Sequence, residues 1–518
     1  MAANPILVLQ MQRMGDMVLT FPLLGWLLAN FPGHPLWILG EEKFFRPLMP
    51  LSPPAVYFAY GDTSALQSIH FHAVINLSHR MEAAQVAGMV SSDALFGPYV
   101  NRNGAQHIRG DWQVYRASLT NNNRFNRFHW ADLYGMDIVP AGQLQRTIWP
   151  QPRPFGTEGA SPAAAASGQT ASETPLAGHQ AKPFQAKTFR VGLFLGASEA
   201  AKHPEATFWV SLARQLLHEG MRPVLLGGEA EKPLGAAVAH ALKAPALNLC
   251  GHFSVASLCQ FVSELDLLIT PDTGPMHLAT WTGTPVVNLS IGPVNPWETG
   301  PFSPGHHVVR ANVHCLGCWQ CTESSLKCKE SITARHVGQI VRALLENPGS
   351  PALPDTVRGV QLFRTERAAS GLFSMQRLNP DPHQTPAAGQ VSVRDRGQIW
   401  DSSSLSNFWQ HWFGQTLGFF PANNPLSATT AWNDLANGSP QLAERFGEAA
   451  STFMALLATA LKNPAPLLAN PRFWEQAPTL MRPLSGYCQM YAQNHNASKP
   501  ALLHVLSLAE RLAQAIRF

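Results

Sequence analysis

At 518 residues the chain is too long for one hydrophobic core, because single cores stop growing at roughly 250–300 residues, so two domains or more are expected. Apolar residues make up 45% and charged residues 14%, a balance that excludes a disordered chain and suits large packed cores. The formal net charge of +4 is small for this length and gives no reason to expect nucleic acid as a partner, whereas local basic patches still suit anionic lipid or sugar phosphate.

The N-terminal stretch MAANPILVLQMQRMGD has no basic segment before its short apolar run and no small-residue cleavage site, and nowhere do 18 apolar residues run uninterrupted. A cytoplasmic protein is expected, with its seven cysteines reduced unless a metal holds some of them.

In chain order, Ile6 to Leu9 reads as a strand, followed by a loop, a helix from about Met17 to Asn30, a strand at Leu36 to Leu39, and a further apolar run at Ala73 to Leu77. Strands alternating with helical patterns predict a parallel sheet covered by helices over residues 1–150. Residues 151–188 are rich in Ala, Pro, Ser and Gly and read as a linker. The alternation restarts over 189–347. Strands are expected at RVGLFLG, RPVLLGG, LLIT and PVVNLS, and helices at TFWVSLARQLLHEG, EAEKPLGAAVAHALK, SVASLCQFVSEL (capped by Ser254), TGPMHLATWTG and TARHVGQIVRALLEN. Two α/β domains in tandem place a cleft between the carboxyl ends of their strands, where such sheets bind ligands. Over 348–518 strand alternation fades and apolar helical stretches such as ERFGEAASTFMALLATALKN and ALLHVLSLAERLAQAIRF predict a mainly helical accessory region, joined through a Pro-rich stretch at 379–390.

Four constellations sit at expected strand ends. Asp16 follows Arg13-Met14-Gly15. A lone acid there is a helix N-terminal carboxylate, worth ~0.5–2 kcal/mol as a cap. At the end of the first strand the same carboxylate also has the access to a substrate hydroxyl that a general base needs, and Gly15 lets a substrate approach closely. Asp272-Thr273-Gly274-Pro275-Met276-His277 lies between a strand and a helix whose free N–H groups suit a diphosphate, with His277 on the same side of the first turn as Thr273. Gly196, followed six residues later by Lys202, can set an ammonium over a phosphate, and a solvated surface lysine is the plainer alternative. Gly227-Gly228-Glu229-Ala230-Glu231 offers a carboxylate to ribose hydroxyls, Glu231 being preferred by register.

Cys315, Cys318, Cys321 and Cys328 have the spacing C-x2-C-x2-C-x6-C, which reads as a structural Zn site, as an iron–sulfur ligand run, or as plain thiols. Arg102, Arg109, Arg116, Arg124 and Arg127 are either scattered surface charges or a basic face for an anionic acceptor.

Taken together, the MGD turn, GxxxxxK, GGxxE, DTGPMHLA, Ile291-Gly292-Pro293, Thr299-Gly300-Pro301 and Asn126 to Leu133 (NRFHWADL) resemble the glycosyltransferase family 9 heptosyltransferases over residues 4–346. The resemblance implies a GT-B fold, two Rossmann-like α/β domains facing a cleft. It also implies inverting transfer of a heptose-like sugar from an ADP-sugar to a lipopolysaccharide core or related glycan, with no metal needed. On that basis Asp16 is the base, and Lys202, Thr273 and Gly274 stabilise the departing diphosphate. Asp272 and His277 shape the sugar and phosphate pocket, and Glu231 holds the nucleoside. Arg13, Gly15, Arg124 and Arg127 lie on the acceptor side, a glycolipid or glycan, with peripheral contact at the inner membrane face. Lys202 is followed by His-Pro-Glu-Ala-Thr-Phe-Trp where the family has a close Lys-Trp-Pro, a departure that bears on the donor rather than on the reaction class. The alternatives are transfer from another nucleotide sugar, a nucleotide-sugar epimerase, or a non-catalytic sugar-binding or scaffold protein.

Overall fold

A computed structural model of the chain describes residues 3–144, 189–313, 315, 317–321, 323–347, 353, 357, 359–379, 402–421 and 427–516. The tract at 151–188 read as a linker lies outside them, as does nearly all of the join at 379–390.

Strand β1 (Ile6–Gln10) is buried along its whole length because it lies at the centre of a sheet covered on both faces, which is why it reads as a continuous apolar run. It pairs in parallel with β2 (Leu36–Gly40) on one side and β4 (His70–Asn76) on the other, Val8 standing opposite both Ile38 and Ile75. With β3 (Val56–Ala59), β5 (Ser91–Val100) and β6 (Gln106–Arg109) the first sheet runs β3-β2-β1-β4-β5-β6, parallel except for the β5–β6 pair.

The second sheet has β7 (Arg190–Phe194), β8 (Arg222–Leu226), β9 (Leu267–Pro271), β10 (Val286–Ser290) and β11 (His307–Ala311) in parallel. Its helices follow the sequence reading: Ala206–His218, ended by Gly220 at φ +78°; Val255–Ser263, capped by Ser254 Oγ; and Ala334–Glu346, capped by Thr333. A hairpin of β12 (Val360–Arg367) and β13 (Phe373–Arg377) then pairs antiparallel with β11, giving the order β13-β12-β11-β10-β9-β7-β8. The second α/β unit therefore extends past the boundary expected at 347, and strands do not end where the sequence reading ended them.

The described residues of 402–421 and 427–516 are mainly helical, with long helices at Ser402–Thr416, Pro440–Thr459 and Lys499–Ala515. Their aromatic core continues into that of the first domain: Phe413 packs on Tyr115 at 4.7 Å between ring centroids and Phe419 on Trp112 at 6.2 Å. Asn494 accepts from the backbone N–H of Ile108 at 2.6 Å and donates to its carbonyl at 2.8 Å, so one amide side chain pairs with edge strand β6 as another strand would. The accessory region is thus part of the body of the first domain. Among the described residues no helix is long and apolar enough to cross a membrane.

Candidate active site

The two domains meet through the turns that follow β1 and β9. The helix after β1 begins at Met14, earlier than the expected Met17, so Asp16 lies in its first turn. The helix after β9 spans Gly274–Trp281 with Thr273 at its N-cap. These two helix starts abut. A Cβ at Gly15 would lie 3.1 Å from His277 Cδ2, and one at Gly274 would lie 2.5 Å from Met14 Cε. The side chains of His277 and Met14 thus occupy the space that a Cβ at each glycine would take.

Asp16 is half-buried. Burial raises its pKa above the ordinary carboxyl value, against the pull of the Arg13 and Asp16 backbone N–H groups and of the Arg116 and Arg13 charges. Asp16 therefore interacts with its own helix turn, and burial lifts its basicity. Arg116, grouped by sequence with surface arginines, is buried at 3% exposure. It donates to the Leu77 carbonyl at 3.1 Å, to Gln113 Oε1 at 3.2 Å and to His79 Nε2 at 3.0 Å. The Arg116 charge, with burial second, holds His79 down at about 3, so the imidazole is neutral and its proton sits on Nδ1. Gln10, 0% exposed at the end of β1, donates to the Asp16 carbonyl at 3.4 Å and to Thr20 Oγ1 at 3.3 Å, fixing the turn.

On the opposing side, Asp272 is half-buried and accepts a 2.6 Å hydrogen bond from the Thr299 hydroxyl at Oδ2. Burial pushes its pKa up to about 6, opposed by Thr299 and by the Lys202 charge and reinforced by Asp16. Thr273 takes an extended φ of −158° and makes no capping hydrogen bond with its side chain. His277, 6% exposed, faces Gly15 instead of sharing an open face with Thr273, and burial lowers it to about 4, so it is neutral near pH 7. Its Nδ1 has no partner among the described residues, and it lines a cavity of about 20 Å³ with Val18, Pro22, Trp281 and Ser303, room for one water.

Lys202 ends the Ala200–Lys202 turn and pairs with Glu199 Oε1 at 2.8 Å. Gly292, at φ +81°, lies against it: a Cβ there would be 3.5 Å from Lys202 Cα. Glu231 accepts from the Gly228 N–H at 2.8 Å; its carboxylate fills the space that a side chain at Gly196 would take, and its Cβ and Cγ fill the space beside Gly227. Two motifs read separately thus meet at Glu231.

The remaining expectations are placed differently. Arg13 is exposed at the helix start. Arg127 is stacked 3.5 Å above the Trp297 ring and donates to Ser403 Oγ at 3.2 Å, so it joins three parts of the chain. Arg124 packs beside Gly317 within the cysteine segment. Cys315, Cys318, Cys321 and Cys328 line one cavity with Gly292, Pro293 and Lys327. Among the described residues, however, no group of three or more His, Cys, Asp or Glu side chains is arranged to hold a metal ion, so the Zn and iron–sulfur readings of their spacing find no ligand geometry. All four thiols are free.

Sequence reasoning missed the bonds across the domain boundary. Glu298, 4% exposed, accepts from Asn123 Nδ2 at 2.7 Å and Asn126 Nδ2 at 3.1 Å. Asp132 accepts from Arg367 Nη1 at 3.0 Å and from the Phe373 N–H at 2.8 Å, and His129 Nε2 lies 3.1 Å from the Gly300 carbonyl. The NRFHWADL stretch was the only sign, read there as resemblance alone.

Residues 160–329 match the family model described as glycosyltransferase family 9 (heptosyltransferase). A lipooligosaccharide heptosyltransferase 2 of Campylobacter jejuni subsp. jejuni serotype O:2 is 29% identical over 164 residues, 30% of this chain and 51% of that protein. The lipopolysaccharide core heptosyltransferase OpsX of Haemophilus influenzae is 39% identical over 62 residues, 12% of this chain and 18% of that protein. The chain spans about half the length of the curated relatives it matches. Among solved structures, the Escherichia coli ADP-heptose lipopolysaccharide heptosyltransferase II aligns at 21% identity and a TM-score of 0.46, over 66% of this chain and 98% of that one.

Proposed function

We propose, from the premise that the chain carries a glycosyltransferase family 9 domain, that it transfers a heptose-like sugar from an ADP-sugar to a lipopolysaccharide core or related bacterial glycan, with inversion and without a metal. The observation that carries this reading is the meeting of two helix starts across the cleft, one holding Asp16 and the other offering free N–H groups at Thr273 and Gly274.

The Asp16 carboxylate takes the proton of an acceptor hydroxyl as that oxygen attacks the anomeric carbon from the face opposite the diphosphate. The bond from the anomeric carbon to the diphosphate breaks, and the leaving anion is stabilised by the dipole and N–H groups of the Gly274–Trp281 helix and by Lys202. A raised Asp16 pKa makes it a stronger base than a surface carboxylate. Charge stabilisation by helix and lysine supplies what a divalent ion would, so no metal step is needed. In this reading Glu231, packed against Gly196 and Gly227, accepts from ribose hydroxyls. The setting is the cytoplasmic face of the inner membrane, reached peripherally.

Calorimetric titration with ADP, UDP, GDP and CMP, with and without Mg²⁺, tests the donor. Tight ADP binding indifferent to Mg²⁺ is the expected result. Preference for UDP or GDP would redirect the donor within the same fold, and binding of none would favour a scaffold role.

A further inference from the structure

The four-residue helix Pro296–Thr299 belongs to the second domain but is held by the first. Asn295, its N-cap, donates to the carbonyls of Asn123 at 2.8 Å and Asn126 at 3.1 Å. Trp297 lies under the Arg127 guanidinium, and the Glu298 carboxyl is taken at both oxygens by the Asn123 and Asn126 amides. The next residue, Thr299, points its hydroxyl the other way, at Asp272 Oδ2, 2.6 Å away. Adjacent side chains of one turn therefore face the two sides of the domain boundary.

Asp272 is half-buried and its other carboxyl oxygen has no protein partner among the described residues. A carboxylate repels a diphosphate but accepts well from a sugar hydroxyl, so the ligand group for that oxygen is a hydroxyl of the transferred sugar. A hydroxyl donor at 2.6 Å fixes which oxygen remains free and where it points.

We propose that Thr299 is a positioning residue for the donor sugar, aiming the free oxygen of Asp272, and that the Asn123 and Asn126 grip on Glu298 makes this aim depend on the seating of the first domain. This rests on the donor reading given above. Sugar selection is then an interdomain property: the domain that does not hold the nucleotide sets the carboxylate that reads the sugar.

The test is calorimetric titration of the full chain with ADP and with ADP-heptose. Wild type binds ADP-heptose more tightly than ADP. Thr299→Val loses ADP-heptose affinity roughly tenfold, the scale of one charge-assisted hydrogen bond, while its ADP affinity is unchanged. Thr299→Ser restores the difference, and the double variant Asn123→Ala/Asn126→Ala reproduces the Thr299→Val pattern. A Thr299→Val protein that keeps its preference for ADP-heptose overturns the proposal, as does an equal loss for both ligands, which marks a merely structural residue. A wild-type protein that binds ADP but gains nothing from the heptose also overturns it, and one that binds neither ligand removes the donor reading itself.

Discussion

Gly15 and His277 stand in contact across the domain boundary, with only 3.1 Å between His277 Cδ2 and the place of a Cβ at Gly15. The helix that starts at Met14 and the helix that starts at Gly274 thereby pack closely where a side chain is absent. Gly15→Val forces the β-branched group into the buried imidazole. Overpacking of this kind costs about 1–3 kcal/mol. Thermal melting is expected to show that loss together with a large fall in turnover, and a Gly15→Val enzyme of normal rate would mean that the spacing of the two helices does not govern the reaction.

Asp132 and Arg367 form a buried pair joining the first domain to β12, at 1% and 13% side-chain exposure. Removing one partner strands the other's charge, so Arg367→Ala is expected to destabilise the fold by about 3–5 kcal/mol in denaturant unfolding, and Asp132→Asn/Arg367→Met to recover much of it. Equal losses in the single and double variants would show that the ion pair is not what holds the hairpin.

Burial raises Glu298 from 4.5 to about 8 despite its two amide donors. The folded state then binds a proton that the unfolded state has lost, so this group's contribution is complete below the ordinary carboxyl pKa, declines as pH rises toward 8, and levels off above it. Asp137 and Asp272, both near 6, add a decline of the same sign at lower pH. Between pH 6.5 and 8 wild-type melting temperature is expected to fall while that of Glu298→Gln holds steady. A parallel fall in both would place the proton elsewhere.

The thiols of Cys315, Cys318, Cys321 and Cys328 share a cavity without ligand geometry. Protein purified under reducing conditions is expected to contain substoichiometric metal, and a chelator to leave transfer unchanged. A stoichiometric ion whose removal stops turnover would overturn the metal-free account.

The sequence announced the parts of this molecule whose chemistry is local. A buried parallel strand needs apolar residues in a row, as Ile6 to Leu9 show, and a helix start packed close against another favours glycine, as Gly274 beside Met14 shows. The β12–β13 hairpin escaped because its alternation is short and follows a Pro-rich stretch, with no helix between to mark an α/β repeat. Glu298 and Thr299 escaped for a different reason. Glu298 finds its amide donors 175 and 172 positions away, and nothing near it in the chain distinguishes it from a surface acid. Arg116 was misplaced likewise, since it is buried by its contacts with Leu77 and His79, 39 and 37 positions away, which leave no local signature.

The central claim is that Asp16 is the base. Its most direct test is the rate of ADP release from ADP-heptose by the Asp16→Asn protein, with heptose-free lipopolysaccharide core as acceptor, alongside ADP affinity measured by calorimetry. The account predicts a fall of about a hundredfold to ten-thousandfold in rate with ADP affinity retained. A rate within a few-fold of wild type would contradict it.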